Sequence, residues 1–336
     1  MVAAGTSILK LLDEESFGPF ASPTYQTLFI CHASYEARAY KVTELSISSL
    51  NIVEAVVIGS TETFQDDPKY RACYEELTRR LERNGARSPG RLLCMRSNLM
   101  DFMSKIHQFI GSIAQTAVGR VVVDISVFPK DRLWVLLDYL KRWQKTATEI
   151  NLIYVEPKQY NTDSKVDGWL SKGVRRISYI PGFNGHQTPK KRVLLALVLG
   201  HEEERIQITV RNMEPATLVL IGQGSIQYRD DAQRLADDVE RHIGADHAHI
   251  VSRDEYYVAD SRDYVAVRNA IRCIFARNSP SYNIIVGANG TKIQSLGAML
   301  ACMENRRIAA VYAAPQLYNR EAYSTGVGRV WHLSPW

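Results

Sequence analysis

The feature that most constrains the fold is a similarity between the two halves of the chain. The segment PKQYN at 157–161 matches PQLYN at 315–319, at an offset of 158 residues. An apolar run followed by Glu-x-Arg comes earlier in each half, ending at Arg38 and at Arg205. Because several elements recur in the same order, we predict an internal duplication in which both halves share one fold.

Strand-length apolar runs alternate with amphipathic helical patterns along the chain. The predicted strands lie at 28–31, 53–58, 92–95, 121–125 and 150–155 in the first half, and at 193–199, 217–221, 284–286 and 309–312 in the second. Such alternation is typical of a mostly parallel sheet covered by helices on both faces. We therefore predict an α/β protein with two Rossmann-like halves related by a pseudo-twofold axis.

The length of 336 residues fits two such domains of about 150 residues each. The predicted division is a leader at 1–25, a first half at 26–183, a linker rich in proline and glycine at 184–192, and a second half at 193–336. Similar segments at 174–177 and 327–330 are predicted to form a closing strand in each half.

Composition limits the class of protein. The chain is 46% hydrophobic and 23% charged, the balance of a folded globular protein. We expect a soluble, cytoplasmic protein, because the N-terminus resembles no signal peptide and the apolar runs are too short to span a membrane. We also expect no metal and no cofactor. The cysteines are odd in number and form no CxxC pair, so we expect them to be buried and reduced: Cys31, Cys73, Cys94, Cys273 and Cys302.

The net charge of +5 is mild. Basic clusters at 79–91 and 190–192 are interpreted as solvated faces, since acidic residues interleave the first cluster. Nucleic-acid binding stays possible on this evidence but is unsupported.

The strongest candidate site is the turn Asn289-Gly290-Thr291-Lys292, between the predicted strand at 284–286 and a helix. Amides at a helix start carry partial positive charge, so with Lys292 beside them they suit an anion such as a phosphate. Gly290 would allow close backbone approach, and Thr291 and Ser295 can donate to phosphate oxygens. Alternatively, Gly290 and Thr291 only cap the helix and Lys292 is solvated.

Further candidates also follow predicted strands. Gly222, Gly224 and Ser225 come after the strand at 217–221, and Asp124 and Ser126 come at the end of the strand at 121–125. In open parallel sheets, ligands bind beyond the carboxyl ends of the strands, so we expect these residues to cluster. The alternatives are a tight turn for the glycines and a hydrogen bond to a neighbouring loop for Asp124.

The Glu-x-Arg segments pair Glu36 with Arg38 and Glu203 with Arg205. Arginine forks bind phosphates and carboxylates, so either pair could contact a ligand. We favour structural salt bridges, because each pair neutralises itself.

The order of strands and helices, with the Asn-Gly-Thr-Lys turn and the following strand ending at Tyr312, resembles the CRISPR-associated Rossmann-fold (CARF) sensory domains. Those domains carry a Gly-Gly-Thr-Lys type of turn and bind cyclic oligoadenylates across a twofold interface. Here Asn289 replaces the first glycine. The resemblance covers the chain from residue 193 onward, and the first half only through its repeat, where 124–130 is a weaker version of the turn.

The resemblance implies a nucleotide-ligand sensor that acts with a partner effector protein, or as a homo-oligomer, in prokaryotic antiviral defence. A second possibility is a phosphodiesterase or other nucleotide-cleaving enzyme using Thr291 and Lys292, with Asp124 or His201. A third is a scaffold subunit of a larger defence complex. The chain contains no Gly-x-Ser-x-Gly or GxGxxG segment, and the sequence identifies no catalytic residue.

Overall fold

The chain folds into two compact α/β units. The computed structural model describes residues 9–11, 25–45, 50–113, 118–144, 149–161, 169–224 and 231–336. The first unit comprises 8–161 with 320–336, and the second comprises 162–319. Each unit has one sheet, with seven described strands in the first and six in the second. The predicted architecture of two α/β halves is confirmed, whereas the pseudo-twofold axis stays a prediction.

The strands are β1 (Leu9–Leu11), β2 (Thr27–His32), β3 (Ile52–Ser60), β4 (Gly90–Cys94), β5 (Arg120–Asp124), β6 (Glu149–Tyr160), β7 (Ser171–Asn184), β8 (Arg192–Val198), β9 (Thr217–Gln223), β10 (Val251–Ala259), β11 (Tyr282–Ala288), β12 (Ala309–Tyr318) and β13 (Ser324–Leu333).

The α-helices are α1 (Lys41–Glu44), α2 (Thr61–Asp66), α3 (Pro68–Arg83), α4 (Leu99–Ser112), α5 (Lys130–Trp143), α6 (Glu203–Met213), α7 (Asp231–Asp238), α8 (Tyr264–Asn278) and α9 (Lys292–Glu304). A π-helical turn, Val239–Ile243, continues α7.

The sheet of the first unit has the order β1-β13-β6-β5-β2-β3-β4. The strands from β6 to β4 are parallel, and β13 and β1 add to the edge in antiparallel fashion. Strands β2 and β5 are buried along their whole length, which explains their unbroken apolar sequences. Helix α3 packs its apolar side against this sheet, with Tyr74 and Leu77 in the core.

The sheet of the second unit has the order β10-β9-β8-β11-β12-β7. Five strands are parallel and β7 is antiparallel. Chain order reverses between β8 and β11, as it does between β2 and β5 in the first unit. Each unit therefore has the topological switch point of a doubly wound fold, where ligands bind in such sheets.

The closing strand of each sequence half pairs in the other half's sheet. Strand β7 follows β6 in sequence but pairs with β12, where Ile177 lies opposite Ala313. Strand β13 follows β12 but pairs with β6, where Val330 lies opposite Val155. The units therefore differ from the predicted domain boundaries, because 162–183 belongs to the second unit and 320–336 to the first.

Two smaller predictions also differ from the structure. Residues 9–11 of the predicted leader form a strand paired with β13. Four of the cysteines are buried as predicted, but Cys273 on α8 is exposed. Within the described ranges, no helix has the length and apolar character needed to cross a membrane.

Candidate functional site

The carboxyl ends of β8 and β11 bring two glycine turns together in the second unit. The two strands are parallel neighbours, with Val198 opposite Ala288 at their last residues. A Cβ atom on Gly200 would overlap the carbonyl oxygen of Asn289. The loop after β8 and the predicted 289–292 turn therefore touch, backbone to backbone, at the switch point.

Gly290 is required by packing at this crossing. A Cβ atom there would lie 2.5 Å from Oε1 of Gln294 and 2.7 Å from Cγ1 of Val198. Such distances are shorter than van der Waals contact allows, so a larger residue would push the turn away from β8. Within the described part of the chain, the close approach at Gly290 is one of protein to protein, and the approach of a ligand stays a prediction.

Thr291 caps helix α9. Its hydroxyl oxygen accepts a hydrogen bond from the amide of Gln294 at 3.2 Å, and its own amide donates to Oε1 of Gln294 at 2.9 Å. Its hydroxyl donates to the carbonyl oxygen of Ser261 at 2.5 Å. This capping box satisfies two amides at the helix start. The capping role, which the sequence left open, is therefore present at Thr291.

Lys292 and Ser295 have different exposures. Ser295 is fully buried within the first turn of α9, whereas Lys292 is half-buried at the first helical position. No acidic residue lies in the first turn of α9. A cation at a helix N-terminus has the unfavourable sign for the helix dipole, by roughly 0.3–1 kcal/mol, and a bound anion would offset that cost.

Gly222 and Gly224 lie at the same end of the sheet, on and just after β9. A Cβ atom on Gly222 would overlap the hydroxyl of Tyr256, and the amide of Gly224 donates to the carbonyl oxygen of Ala259 at 2.8 Å. Both glycines therefore permit close packing against β10. Ser225, the third residue predicted here, lies outside the described residues.

A polar cluster next to Gly222, in which His242 is buried and Asp238 and Tyr256 are half-buried, was not predicted from the sequence. The hydroxyl of Tyr256 donates to Oδ2 of Asp238 at 2.7 Å, and Nε2 of His242 lies 3.9 Å from the other carboxylate oxygen. Burial raises the pKa of Asp238. Burial, together with smaller contributions from the nearby charges of Arg241 and His201, lowers the pKa of His242 to about 4. The four-residue spacing of Asp238 and His242, which places them on one side of a helix, is the sequence feature that could have predicted this cluster.

The switch point of the first unit is occupied by the protein's own side chains. Asp124 accepts hydrogen bonds from the amide of Ser126 at 2.9 Å and from its hydroxyl, and Val155 donates its amide to Oγ of Ser126 at 2.9 Å. Both side chains are buried, and the rings of His32 and Phe128 meet edge to face beside them, 5.0 Å apart. Asp124 and Ser126 thus lie in a different unit from the 289–292 turn.

The arginines of the two Glu-x-Arg segments make equivalent buried contacts. Arg38 binds both carboxylate oxygens of Glu36, at 2.9 and 3.1 Å, and donates to the carbonyl oxygen of Val155 at 3.1 Å. Arg205 donates to the carbonyl oxygen of Ala313 at 2.9 and 2.7 Å. Val155 and Ala313 are separated by the same 158 residues as the repeated segments.

The carboxylate partner of Arg205 is Glu202, and the predicted pairing with Glu203 is wrong. A serine from the added antiparallel strand completes each cluster: Ser324 donates to Glu36 at 2.5 Å, and Ser171 donates to Glu202. Glu203 instead lies 3.5 Å from the exposed Arg241. Each cluster therefore links the closing strand to the sheet in which it pairs. These contacts are those of a structural salt bridge, the role we favoured for the Glu-x-Arg segments.

Comparison with known proteins concerns mainly the second unit. Residues 195–318, from β8 to the end of β12, match the family described as "HFX_2341_N:-like, N-terminal". No curated protein matches the chain in sequence.

Two solved structures match the chain in a structural comparison, each with a TM-score below 0.5. One is a Type III CRISPR defence DNA nuclease activated by cyclic oligoadenylate, with 10% identity and a TM-score of 0.47 over 82% of this chain and 64% of the nuclease. The other is described as a "putative UDP-N-acetylglucosamine 2-epimerase" from Listeria monocytogenes, with 12% identity and a TM-score of 0.25 over 80% of this chain and 75% of that one. The chain thus spans less than two thirds of the nuclease. The Rossmann-like sheets that the resemblance to CARF domains implies are present in both units.

Proposed function

We propose that the second unit is a sensor domain that binds a nucleotide-derived anion beyond the ends of β8 and β11. The ligand class is a cyclic oligonucleotide, and binding signals to a partner effector protein or to a second copy of this chain. The protein acts in the cytoplasm in prokaryotic antiviral defence. The setting and the ligand class come from the resemblance of the 289–292 turn and its flanking elements to CARF domains.

The observation that carries the proposal is the position of Lys292. Lys292 lies in the first turn of α9, which contains no acidic residue. The adjacent loops meet at Gly200 and Gly290, at the switch point of a doubly wound sheet. A phosphate at this point would meet both the cation and the positive end of the helix dipole. Gly222 and Gly224 lie at the neighbouring strand end, where they pack closely against Tyr256 and the end of β10, and we propose that a ligand larger than one phosphate extends toward this end of the sheet.

We propose different roles for the predicted residues, in keeping with their contacts. Lys292 supplies charge to the ligand, while Gly290 and Thr291 shape the turn through packing and the capping box. Ser295 supports the first helical turn from inside the core. Asp124 and Ser126 stabilise the first unit, which we propose transmits the signal without a ligand of its own.

A thermal-shift screen tests the proposal. The intact chain is heated with AMP, ATP, linear di- and oligoadenylates, and cyclic oligoadenylates of several ring sizes, and each mixture is analysed for products by chromatography. A ligand at 100 times its dissociation constant stabilises the folded state by about 2.7 kcal/mol. We expect a cyclic oligonucleotide to raise the melting temperature, by roughly 5–10 °C for a unit of this size, without being consumed.

Lys292→Ala is the matched variant. It should abolish the ligand-induced shift and leave the melting temperature of the free protein within about 2 °C of wild type, because substitutions outside the core usually change stability by under about 0.5 kcal/mol. Product formation would favour the phosphodiesterase alternative. No shift with any nucleotide would favour the scaffold alternative and contradict the proposal.

A further inference from the structure

The amino-terminal edge of the second sheet carries a concentration of positive charge. Strands β8, β11 and β12 begin at this edge, and helices α8 and α9 end there. We name as the basic edge its six cations: Lys190, Lys191, Arg192, Arg277, Arg306 and Arg307. Five are exposed and Lys191 is half-buried.

Contacts within the unit show that these residues lie together. Nζ of Lys191 donates to the carbonyl oxygen of Ser279, just after α8, at 2.6 Å. Lys191 lies next to Arg192 in sequence, and Arg192 starts β8 opposite Tyr282 at the start of β11. The loop before β8 is joined to the segment before β12, because the amide of His186 donates to the carbonyl oxygen of Arg307 at 3.2 Å.

Three of the arginines lie over aromatic rings. The guanidinium of Arg192 is 5.8 Å from the ring centre of Tyr282, that of Arg307 is 5.2 Å from Phe275, and that of Arg306 is 5.1 Å from Phe183. A cation–π contact restrains the guanidinium beside the ring, so less side-chain entropy is lost when its N–H groups bind a partner.

Two carboxylates near this edge, Glu304 and Glu255, form contacts with other side chains of the unit. Glu304 at the end of α9 binds Arg268 and lies 3.9 Å from Arg272, both on α8 and outside the basic edge. Glu255 on β10 is buried and accepts hydrogen bonds from Tyr257 and Asn278, each at 2.8 Å. Glu255 also lies 3.9 Å from Arg277.

Stabilisation of helix ends accounts for only part of the cluster. Cations stabilise helix C-termini, and Arg277 lies in the last turn of α8, with Lys191 bonded just beyond it. The last turn of α9 contains no basic residue. Lys190 and Arg192 precede and begin a strand, and Arg306 and Arg307 follow α9, so the helix dipole does not require them.

We propose that the basic edge binds the phosphate backbone of nucleic acid. Adjacent strands lie about 4.8 Å apart, so cations at three neighbouring strand starts span roughly 10 Å, which covers about three phosphates of one strand at about 3.4 Å each. Guanidiniums cover the rings at this edge, so recognition is by phosphate and independent of base sequence. The seven-residue strands β8 and β11 separate this edge by about 23 Å from the 289–292 turn.

Fluorescence anisotropy with a labelled 20-base-pair duplex and the matching single strand tests this inference. At 50 mM salt we expect binding to both probes with a dissociation constant on the order of 10⁻⁶ M, without dependence on sequence. A plot of log affinity against log salt should have a slope of about −3, since each of the roughly three phosphate contacts contributes about −0.9 on a duplex. The double variant Arg192→Gln/Arg307→Gln should weaken binding about tenfold or more and make the slope shallower by about two.

The control Arg83→Gln/Arg87→Gln makes the same change in net charge at exposed arginines of the first unit and should leave the affinity unchanged. Lys292→Ala should also bind DNA like wild type, so failure of the nucleotide sensor and failure of the basic edge are distinguishable. If the double variant unfolds, the exposed Lys190→Gln should still make the slope shallower by about one. Absence of binding at 50 mM salt, equal weakening by the control, or binding to heparin but not to nucleic acid would overturn the inference.

Discussion

The cluster that fastens β7 to the second unit makes a quantitative prediction at Arg205. Replacing this residue by methionine keeps an apolar stem of similar length and removes every charged contact. Those contacts include the ion pair with Glu202 and two hydrogen bonds donated to the carbonyl oxygen of Ala313. The guanidinium also lies over the ring of Tyr312, 5.1 Å from its centre. Arg205 is 3% exposed, so water cannot replace them.

The expected loss is about 3–5 kcal/mol of unfolding free energy. This is the usual cost of removing one member of a buried ion pair, because the remaining carboxylate of Glu202 stays buried without its charge partner. For a unit of this size, each kcal/mol lowers the melting temperature by about 2–4 °C, which gives a fall of roughly 6–20 °C. Glu202→Gln combined with Arg205→Met should recover at least about 1 kcal/mol, because the orphaned charge is then gone.

Differential scanning calorimetry and urea unfolding of the intact chain measure this loss. Glu203→Gln is the matched control: its pair with Arg241 is exposed, with half or more of each side chain accessible, and should contribute almost nothing. Arg38→Met makes the corresponding change in the first unit. A loss below about 1 kcal/mol for Arg205→Met, or an equal loss for Glu203→Gln, would refute the reasoning.

Three further predictions concern the turn and its surroundings. Gly290→Ala should lower the free energy of unfolding by about 1–3 kcal/mol, because the new Cβ would lie 2.5 Å from a side-chain oxygen. Gly111→Ala, in a helix and with nothing within 4 Å of the new Cβ, should raise it by about 0.5–1 kcal/mol. Urea unfolding compares the two variants. Thr291→Ala should lose about 1 kcal/mol and Thr291→Ser much less, since serine keeps the capping oxygen; equal losses would contradict the capping box. The pKa of His242 is lowered to about 4, so between pH 6.5 and 4 the unfolded chain binds a proton that the folded chain refuses, and stability falls as the pH falls. His242→Gln should flatten this dependence, by up to about 3 kcal/mol at pH 4; an unchanged pH profile would contradict it.

Most of the fold was predictable because parallel strands buried on both faces have distinctive sequences. The apolar runs at 28–31 and 193–199 could form little else, and the order of elements led directly to two α/β halves. Strand β10 was missed because its sequence VSRDEYYVA mixes charged and aromatic residues, as an edge strand with partial exposure allows.

The sheet to which each closing strand belongs could not be predicted. Segments 174–177 and 327–330 are alike, and the strands they join, β6 and β12, are alike too, so local sequence favours neither pairing. Exchange of equivalent strands costs little when both partners offer the same contacts.

The site was predictable in position but not in detail. The glycine and threonine pattern at 289–292 indicated a turn after a strand, and Thr-x-x-Gln indicated a capping box. The partner of Arg205 was mistaken because Glu202, which immediately precedes α6, lies within reach of Arg205, whereas Glu203 lies beside Arg241. The packing role of Gly290 depends on Val198, which is distant in sequence and adjacent only in the sheet.

The most direct test of the central claim, that the nucleotide site lies at the switch point of the second unit, is isothermal titration calorimetry with a cyclic oligoadenylate. Lys130 begins α5 after the corresponding strand end of the first unit, so Lys130→Ala is the matched variant for Lys292→Ala. We expect saturable binding by wild type and by Lys130→Ala, and none by Lys292→Ala. Binding that survives Lys292→Ala and is lost in Lys130→Ala would contradict the account.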